Sequence, residues 1–99
     1  MQIRLYCNDH EAPVSPFVGR FIANVCLAIS QSLKTAEGNT ILFAVSGDRV
    51  HLEIDGRPIP LGLNQGFAEI LVRDTLQGMV AHLKGMESNG RIRMEIQTI

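Results

Sequence analysis

Residues 3–9 read Ile3-Arg4-Leu5-Tyr6-Cys7-Asn8-Asp9, and residues 50–56 read Val50-His51-Leu52-Glu53-Ile54-Asp55-Gly56. Inward apolar positions alternate with outward ones in both stretches, and residues that favour tight turns follow, which predicts a β-strand that ends in a turn. An apolar triplet with a central proline comes next in each case, Ala12-Pro13-Val14 and then Ile59-Pro60-Leu61. The chain therefore contains two similar segments, which we place at residues 1–46 and 49–97.

The segments after the two triplets also match, with a shift of three residues in the alignment. Phe17 falls on Phe67, Phe21-Ile22 on Leu71-Val72, and Leu33-Lys34 on Leu83-Lys84. Self-similarity at a fixed spacing is the mark of a repeated structural unit. We therefore infer an internal duplication.

Each segment contains one predicted helix. Ser15 and Pro16 suit the first turn of a helix that ends near Lys34. Its predicted buried stripe includes Val18, Phe21 and Ile22. Asn64 and Gly85 are the corresponding start and stop of the second helix, whose predicted buried stripe is Ala68, Val72, Leu76, Met79, Val80 and Leu83. Gly78 interrupts this second helix, and we expect a close approach of another element to explain it.

Three further strands complete the prediction, at residues 40–45, 49–54 and 91–96, with the first two joined through Ser46-Gly47-Asp48. The order β-α-β-β-α-β predicts a ferredoxin-like α+β plait, with both helices on one face of an antiparallel sheet and the first and third strands side by side. An alternative is an elaborated sheet, in which short hairpin strands follow the turns Asn8-Asp9 and Asp55-Gly56.

Composition limits the classes of function. A chain of 99 residues forms a single domain. Its net charge of −1 offers no basic field for a phosphate backbone, so nucleic acid is an unlikely partner. The sequence contains no apolar stretch long enough to span a bilayer and no cysteine framework, so we expect a cytoplasmic protein with reduced thiols and no membrane association.

A candidate binding site lies at the end of the first predicted strand. Cys7 and His10 offer a thiolate and an imidazole at the spacing Cys-x-x-His, beside Asp9 and Glu11, and these are metal-ligand types. The predicted plait brings Arg57 of the other segment to the same edge. The sequence thus predicts a metal or small-ligand module at Cys7, His10 and Arg57 as the alternative function, although Cys7 is in phase with the inward Ile3 and Leu5.

Catalysis is not expected. The sequence contains no nucleophile–base motif, no paired acid–base residues at a characteristic spacing and no cofactor fingerprint. We therefore predict a protein that is not an enzyme and needs no cofactor.

The leading functional prediction rests on the strand at residues 40–45, which is apolar on both faces. An edge strand of this kind needs a cover. The predicted interface comprises Ile41, Leu42, Phe43, Ala44, Val45, Ile59 and Leu61. We expect a non-catalytic interaction or assembly module that self-associates as a dimer, with another protein as a further possible partner.

Overall fold

The computed structural model describes residues 2–32, 38–47, 49–59, 67–81, 83 and 91–98, the side chains of Phe67 and Ala68 excepted. The strands are β1 (Gln2–Cys7), β2 (His10–Ala12), β3 (Thr40–Ser46), β4 (Arg49–Ile54), β5 (Arg57–Ile59) and β6 (Ile92–Gln97). The helices are α1 (Pro16–Ser32) and α2 (Phe67–Val80). The predicted helix boundaries at Lys34, Asn64 and Gly85 lie outside the described residues.

The six strands form one antiparallel sheet in the order β2-β1-β6-β3-β4-β5. The prediction of a mixed α+β domain with an antiparallel sheet is confirmed, but the ferredoxin-like strand order is wrong. The first and third long strands, β1 and β4, do not pair with each other; β6 and β3 lie between them. The two added strands of the alternative architecture, β2 and β5, are present.

The added strands explain why the plait order fails. In a ferredoxin-like sheet the first and third strands occupy the centre and use both edges for long partners. Here β2 occupies one edge of β1 over Leu5 to Cys7, and β5 occupies one edge of β4 over Leu52 to Ile54. Each strand has only one remaining edge, so β1 and β4 are displaced outward and β3 and β6 pair with each other at the centre.

The same element order, β-β-α-β, occurs in both halves of the chain. The sheet order is correspondingly symmetric about the β3–β6 pair, since β1 corresponds to β4, β2 to β5, and β6 to β3. The strand order therefore has the pseudo-two-fold form that two copies of one unit would produce. Duplication as the origin of the chain remains our proposal.

Both hairpins are closed by two-residue turns with positive φ. The φ angles are 52° at Asn8, 69° at Asp9, 51° at Asp55 and 80° at Gly56. Positive φ at both central residues is the geometry that follows the twist of an antiparallel hairpin, and Asn, Asp and Gly tolerate it best. Gly47, between β3 and β4, also has the positive φ expected from the sequence, at 59°.

The first residue of each turn ties its hairpin to the neighbouring central strand. The Asn8 side-chain oxygen accepts a hydrogen bond from the Arg91 backbone N–H at 2.9 Å, and the Asn8 N–H donates to the Arg91 carbonyl at 2.8 Å. Asp55 repeats this arrangement in the other half. Its Oδ1 accepts from the Thr40 N–H at 2.9 Å, and its N–H donates to the Thr40 carbonyl at 2.8 Å. These matched contacts fix the start of β6 and of β3.

One hydrophobic core lies between the sheet and the helices. Leu5, Met94, Phe43 and Leu52 form a row across four strands, and all four are buried. Both helices contribute to the same cluster, so both lie on this face of the sheet. Among the described residues, neither helix is long and apolar enough to cross a membrane.

Small side chains bring α1 close to the sheet. Ser15 caps the helix as predicted, with its Oγ accepting from the Val18 N–H at 3.2 Å. The buried residues of α1 are Gly19, Ile22, Ala23, Cys26 and Ser30. A Cβ at Gly19 would lie 3.0 Å from Cγ2 of Ile3, so the glycine permits this close approach. Phe21, placed by the sequence on the buried stripe, is instead 51% exposed.

Gly78 shows the opposite situation, and the predicted close approach there is wrong. It is exposed, and no described atom lies within 4 Å of the position that its Cβ would take. We expect Gly78→Ala to raise the free energy of unfolding by about 0.5–1 kcal/mol through helix propensity. Gly19→Ala, with the same propensity gain but a tight contact to Ile3, should gain less. Urea denaturation of both variants tests this, and equal gains would contradict the packing account of Gly19.

Asp55 should act mainly as a hydrogen-bond acceptor. Its Oδ1 accepts from both Asn39 N and Thr40 N at 2.9 Å. Asp55→Ala leaves these donors without a protein acceptor and places alanine at positive φ, so we expect a loss of about 2–3 kcal/mol in unfolding free energy. Asp55→Asn, which copies the residue at position 8, should cost less than about 1 kcal/mol. Equal losses in urea denaturation would show that the charge, and not the acceptor, matters.

The Cys26 thiol is buried beside Met94, with a sulfur–sulfur distance of 3.7 Å. Burial raises the pKa of Cys26 from 9.0 to about 12, because desolvation penalises the thiolate. The unfolded chain therefore loses this proton first. The contribution of the thiol to stability is present below pH 9 and is lost as the pH rises from about 9 towards 12, by up to about 1.4 kcal/mol per pH unit.

The prediction is measured as the unfolding free energy of the wild type minus that of Cys26→Ala, at pH values from 7 to 10.5. This difference should fall above pH 9. Cys7→Ala serves as the control, because it keeps the Cys26 thiol. The unfolding free energy of Cys7→Ala minus that of Cys26→Ala should also fall above pH 9. A pH-independent difference between wild type and Cys26→Ala would contradict the assignment.

Candidate functional site

The predicted binding site at Cys7, His10 and Arg57 is not assembled by the fold. The turn Asn8-Asp9 joins β1 to β2, and the turn Asp55-Gly56 joins β4 to β5, at opposite edges of the sheet. Four strand spacings separate the two turns, roughly 19 Å. Since β1 and β4 are also antiparallel through β6 and β3, the turns lie at opposite ends of their strands. Arg57 therefore cannot share a site with Cys7 and His10.

Cys7 and His10 face each other in the register of the β1–β2 hairpin. Cys7 is 5% exposed and belongs to the core side of the sheet, whereas His10 is exposed. The neighbouring Asp9 pairs with Arg91, at 2.8 Å between Oδ2 and the guanidinium. Within the described residues no three His, Cys, Asp or Glu side chains gather as a metal site would require. Metal binding by Cys7 and His10 stays a prediction from sequence alone.

The predicted interface strand, β3, is a central strand, so the expectation that it forms an edge is wrong. Ile41, Phe43 and Val45 are at most 2% exposed and face the helices. Leu42 and Ala44 lie on the open face of the sheet and are half-buried. The remaining residues of that prediction are Ile59, which packs against the core, and Leu61, which lies outside the described residues.

The open face of the sheet is covered by polar side chains that largely satisfy one another. The Arg93 guanidinium lies 4.2 Å from the centroid of the Tyr6 ring, and its Nε is 3.0 Å from Oε2 of Glu95 without hydrogen-bond alignment. His51 contacts Glu53 at 2.6 Å, and Arg4 lies opposite Glu95 in the register. Both signs of charge alternate here, as in an ordinary solvated sheet face.

The sheet edges are poorly suited to adding another strand. Each edge strand has only three residues, His10–Ala12 in β2 and Arg57–Ile59 in β5. The second of these contains Pro58, which lacks a backbone donor. Short edges and edge prolines are features that discourage strand pairing between molecules.

The helices carry the large exposed apolar side chains of the described part of the chain. On α1, Phe17 is 71% exposed and Phe21 is 51% exposed, with ring centroids 6.3 Å apart. On α2, Ile70 is 49% exposed and Leu71 is 56% exposed. We call the first pair the Phe patch, the second the aliphatic patch, and both together the apolar helix surface.

Helical geometry places these side chains away from the sheet. At 100° per residue, Phe17 and Phe21 lie opposite the buried Ile22 and Cys26 on α1. In α2 the buried residues are Val72, Leu76 and Val80, and Ile70 and Leu71 precede them on the outward half. Helix α1 thus buries Ile22 together with small residues and leaves its two aromatic side chains in solvent.

The two patches correspond at one residue pair of the two halves. Under the alignment that places Ile22 on Val72 and Cys26 on Leu76, Phe21 falls on Leu71. The two helices also start at opposite corners of the sheet, since Gly19 lies beside Ile3 and the Glu69 carboxylate accepts from the Val50 N–H at 2.8 Å. The pseudo-two-fold axis thus relates Phe21 of the Phe patch to Leu71 of the aliphatic patch, whereas Ile70 corresponds to Arg20.

An open groove lies between β1 and the N-terminal half of α1. It has a volume of about 570 Å³ and is lined by residues of β1, the following linker and α1, namely Ile3, Val14, Pro16, Gly19, Arg20 and Asn24. Gly19 supplies no side chain to fill it, and Arg20 lies at its rim.

Sequence reasoning missed the Phe patch because it assigned Phe21 to the core. The available signal was the spacing of the small residues Gly19, Ala23, Cys26 and Ser30, which recur at intervals of four, three and four. This spacing marks one continuous helix face. Had that face been chosen as the inner one, both phenylalanines would have been placed in solvent.

No protein-family model, no curated protein and no solved structure matches this chain. The geometry of its own residues is therefore the basis for assigning a function.

Proposed function

We propose that this chain is a non-catalytic protein-interaction module that self-associates through the apolar helix surface. The observation that carries the proposal is the exposure of four large apolar side chains, led by Phe17 at 71%. Aromatic residues are enriched at protein interfaces because they supply large contact area with little entropy to lose. A second copy of the chain is the partner that is always present.

The sequence predicted an interface on β3, whereas the proposed interface lies on the two helices. The type of function, self-association without catalysis, is the same. The apolar side chains of β3 that face the helices are already buried within the chain, and the open face offers only the half-buried Leu42 and Ala44 between charged neighbours. The sheet edges are short. Of the surfaces that the described residues form, the helices are the one on which association would remove the most apolar area from water.

The strength of association can be estimated from these exposures. Full burial of a large apolar side chain contributes about 1.5–3 kcal/mol. Since each of the four is about half exposed or more, two copies would gain on the order of 10 kcal/mol. Association itself costs at least about 4 kcal/mol. We therefore expect a dimer with a Kd between about 1 µM and 1 mM.

Replacement of Phe21 tests the proposal. Phe21→Ser should raise the Kd at least about tenfold, because the side chain is used twice in a two-fold dimer. The double variant Phe17→Ser/Phe21→Ser should be monomeric. Sedimentation equilibrium at up to several hundred µM measures both, and the circular dichroism spectrum should be unchanged because the two side chains face solvent within the monomer.

Gln31→Ser serves as the matched control, since Gln31 is an exposed residue of the same helix outside the Phe patch. It should leave the Kd unchanged. A wild-type chain that stays monomeric throughout this concentration range would refute self-association. A dimer that the double phenylalanine variant does not weaken would refute the surface.

A further inference from the structure

Charge is distributed differently on the two helices that bear the apolar helix surface. Arg20 is the single charged residue of α1, which has no carboxylate at all. The charged residues of α2 are Glu69, Arg73 and Asp74, so this helix has a net charge of −1. The two helices therefore have opposite net charges, +1 on α1 and −1 on α2.

The charged groups that face solvent lie beside the two patches. Arg20 is exposed and sits between Phe17 and Phe21 in the sequence of α1. The Asp74 side chain is 61% exposed and follows Ile70 and Leu71 by about one turn of α2. Glu69, at 17%, is directed to β4, where its carboxylate accepts from Val50 N and lies 3.6 Å from Arg49 Nε. Asp74 is thus the main exposed carboxylate beside the aliphatic patch.

Arg73 pairs with Asp74 but leaves the carboxylate as the more exposed group of the pair. Its guanidinium contacts the Asp74 carboxylate at 3.1 Å, and its side chain is only 22% exposed. The more exposed member of the pair is the acid. A partner that approaches the aliphatic patch therefore meets the negative member first.

Two-fold association leaves two ways to bring the apolar helix surfaces together. If α1 packs on α1 of the second copy, Arg20 faces Arg20, and Asp74 faces Asp74. If α1 packs on α2 of the second copy, each Arg20 faces an Asp74, and the symmetry makes this contact twice. Like charges at a contact oppose association, and opposite charges guide it. Charge complementarity therefore selects the second arrangement.

We infer that the occupant of the apolar helix surface is a second copy of this chain, docked about a two-fold axis so that the Phe patch of each copy contacts the aliphatic patch of the other and Arg20 faces Asp74 across the contact. This inference rests on the proposed function. The molecule measures 34 × 30 × 19 Å, so its broad face accommodates the roughly 800 Å² per partner of a standard interface.

Charge reversal distinguishes the two arrangements. In the inferred dimer, Arg20→Glu places two carboxylates together and Asp74→Lys places two cations together, so each single variant should raise the Kd about tenfold at low ionic strength. The double variant Arg20→Glu/Asp74→Lys restores opposite charges and should return the Kd to within about threefold of the wild type. Sedimentation equilibrium at low and high salt measures these values, and the differences should shrink at high salt.

Like-with-like packing makes a different prediction. Arg20 would then exchange one like-charge contact for another, so neither single variant would change the Kd appreciably. Unchanged single variants, or a double variant as weak as the singles, would overturn the inferred docking. Thermal denaturation of each variant confirms that the fold is intact, as expected for exposed residues.

These measurements distinguish a failure of the proposed function from a failure of the docking arrangement alone. A wild-type monomer at all concentrations overturns both self-association and the docking arrangement. A wild-type dimer that Phe17→Ser/Phe21→Ser abolishes, together with single charge variants that leave the Kd unchanged, retains the proposed function and overturns only the pairing of α1 with α2.

Discussion

The antiparallel pairing of β3 with β6 is the constraint on which the rest of the structure depends. Phe43 lies opposite Met94 at the middle of this pair, and both side chains are completely buried. Each central strand also pairs on its other edge with the hairpin of the opposite half, held by the side chain of Asn8 or Asp55. The two halves are thus interlocked, because β6 of the second half lies between β1 and β3 of the first. Neither half can bury its own core residues without the other.

Much of this fold could be predicted from sequence, because it depends on local patterns. The alternation of Leu5 and Cys7 specified a strand, Ser15 specified a helix start, and Asn8-Asp9 specified a turn. The strand order could not be derived in this way, since alternation gives the buried face of a strand and says nothing of its neighbours. The decisive elements were β2 and β5, each only three residues long, which occupy one edge of β1 and of β4. Segments this short have almost no periodicity of their own.

The candidate site was less predictable than the fold for a related reason. In sequence, β3 is apolar on both faces, and this pattern predicts an uncovered edge strand. In the structure β3 is central, and the neighbouring strands β4 and β6 shield Leu42 and Ala44. Within the described residues, the large exposed apolar side chains lie on α1 and α2, where hydrophobicity alone would predict burial. Helix α1 packs through Gly19, Ala23 and Cys26 and presents phenylalanine outward. Four of the five buried residues of α1 are small and Ile22 is the exception, so hydrophobicity alone does not identify the inner face of this helix.

The register of the outer strands has one consequence for how the chain is threaded. Ser46 pairs with Arg49 where β3 leads into β4, and Gln97 pairs with Gln2 where β6 lies beside β1. The two places are equivalent under the pseudo-two-fold axis, although the backbone is continuous only at the first. The two units therefore follow one another around the sheet with the same antiparallel pairing at both junctions. Since the strand pairing is the same at both junctions, the sheet alone does not determine which of the two carries the covalent connection.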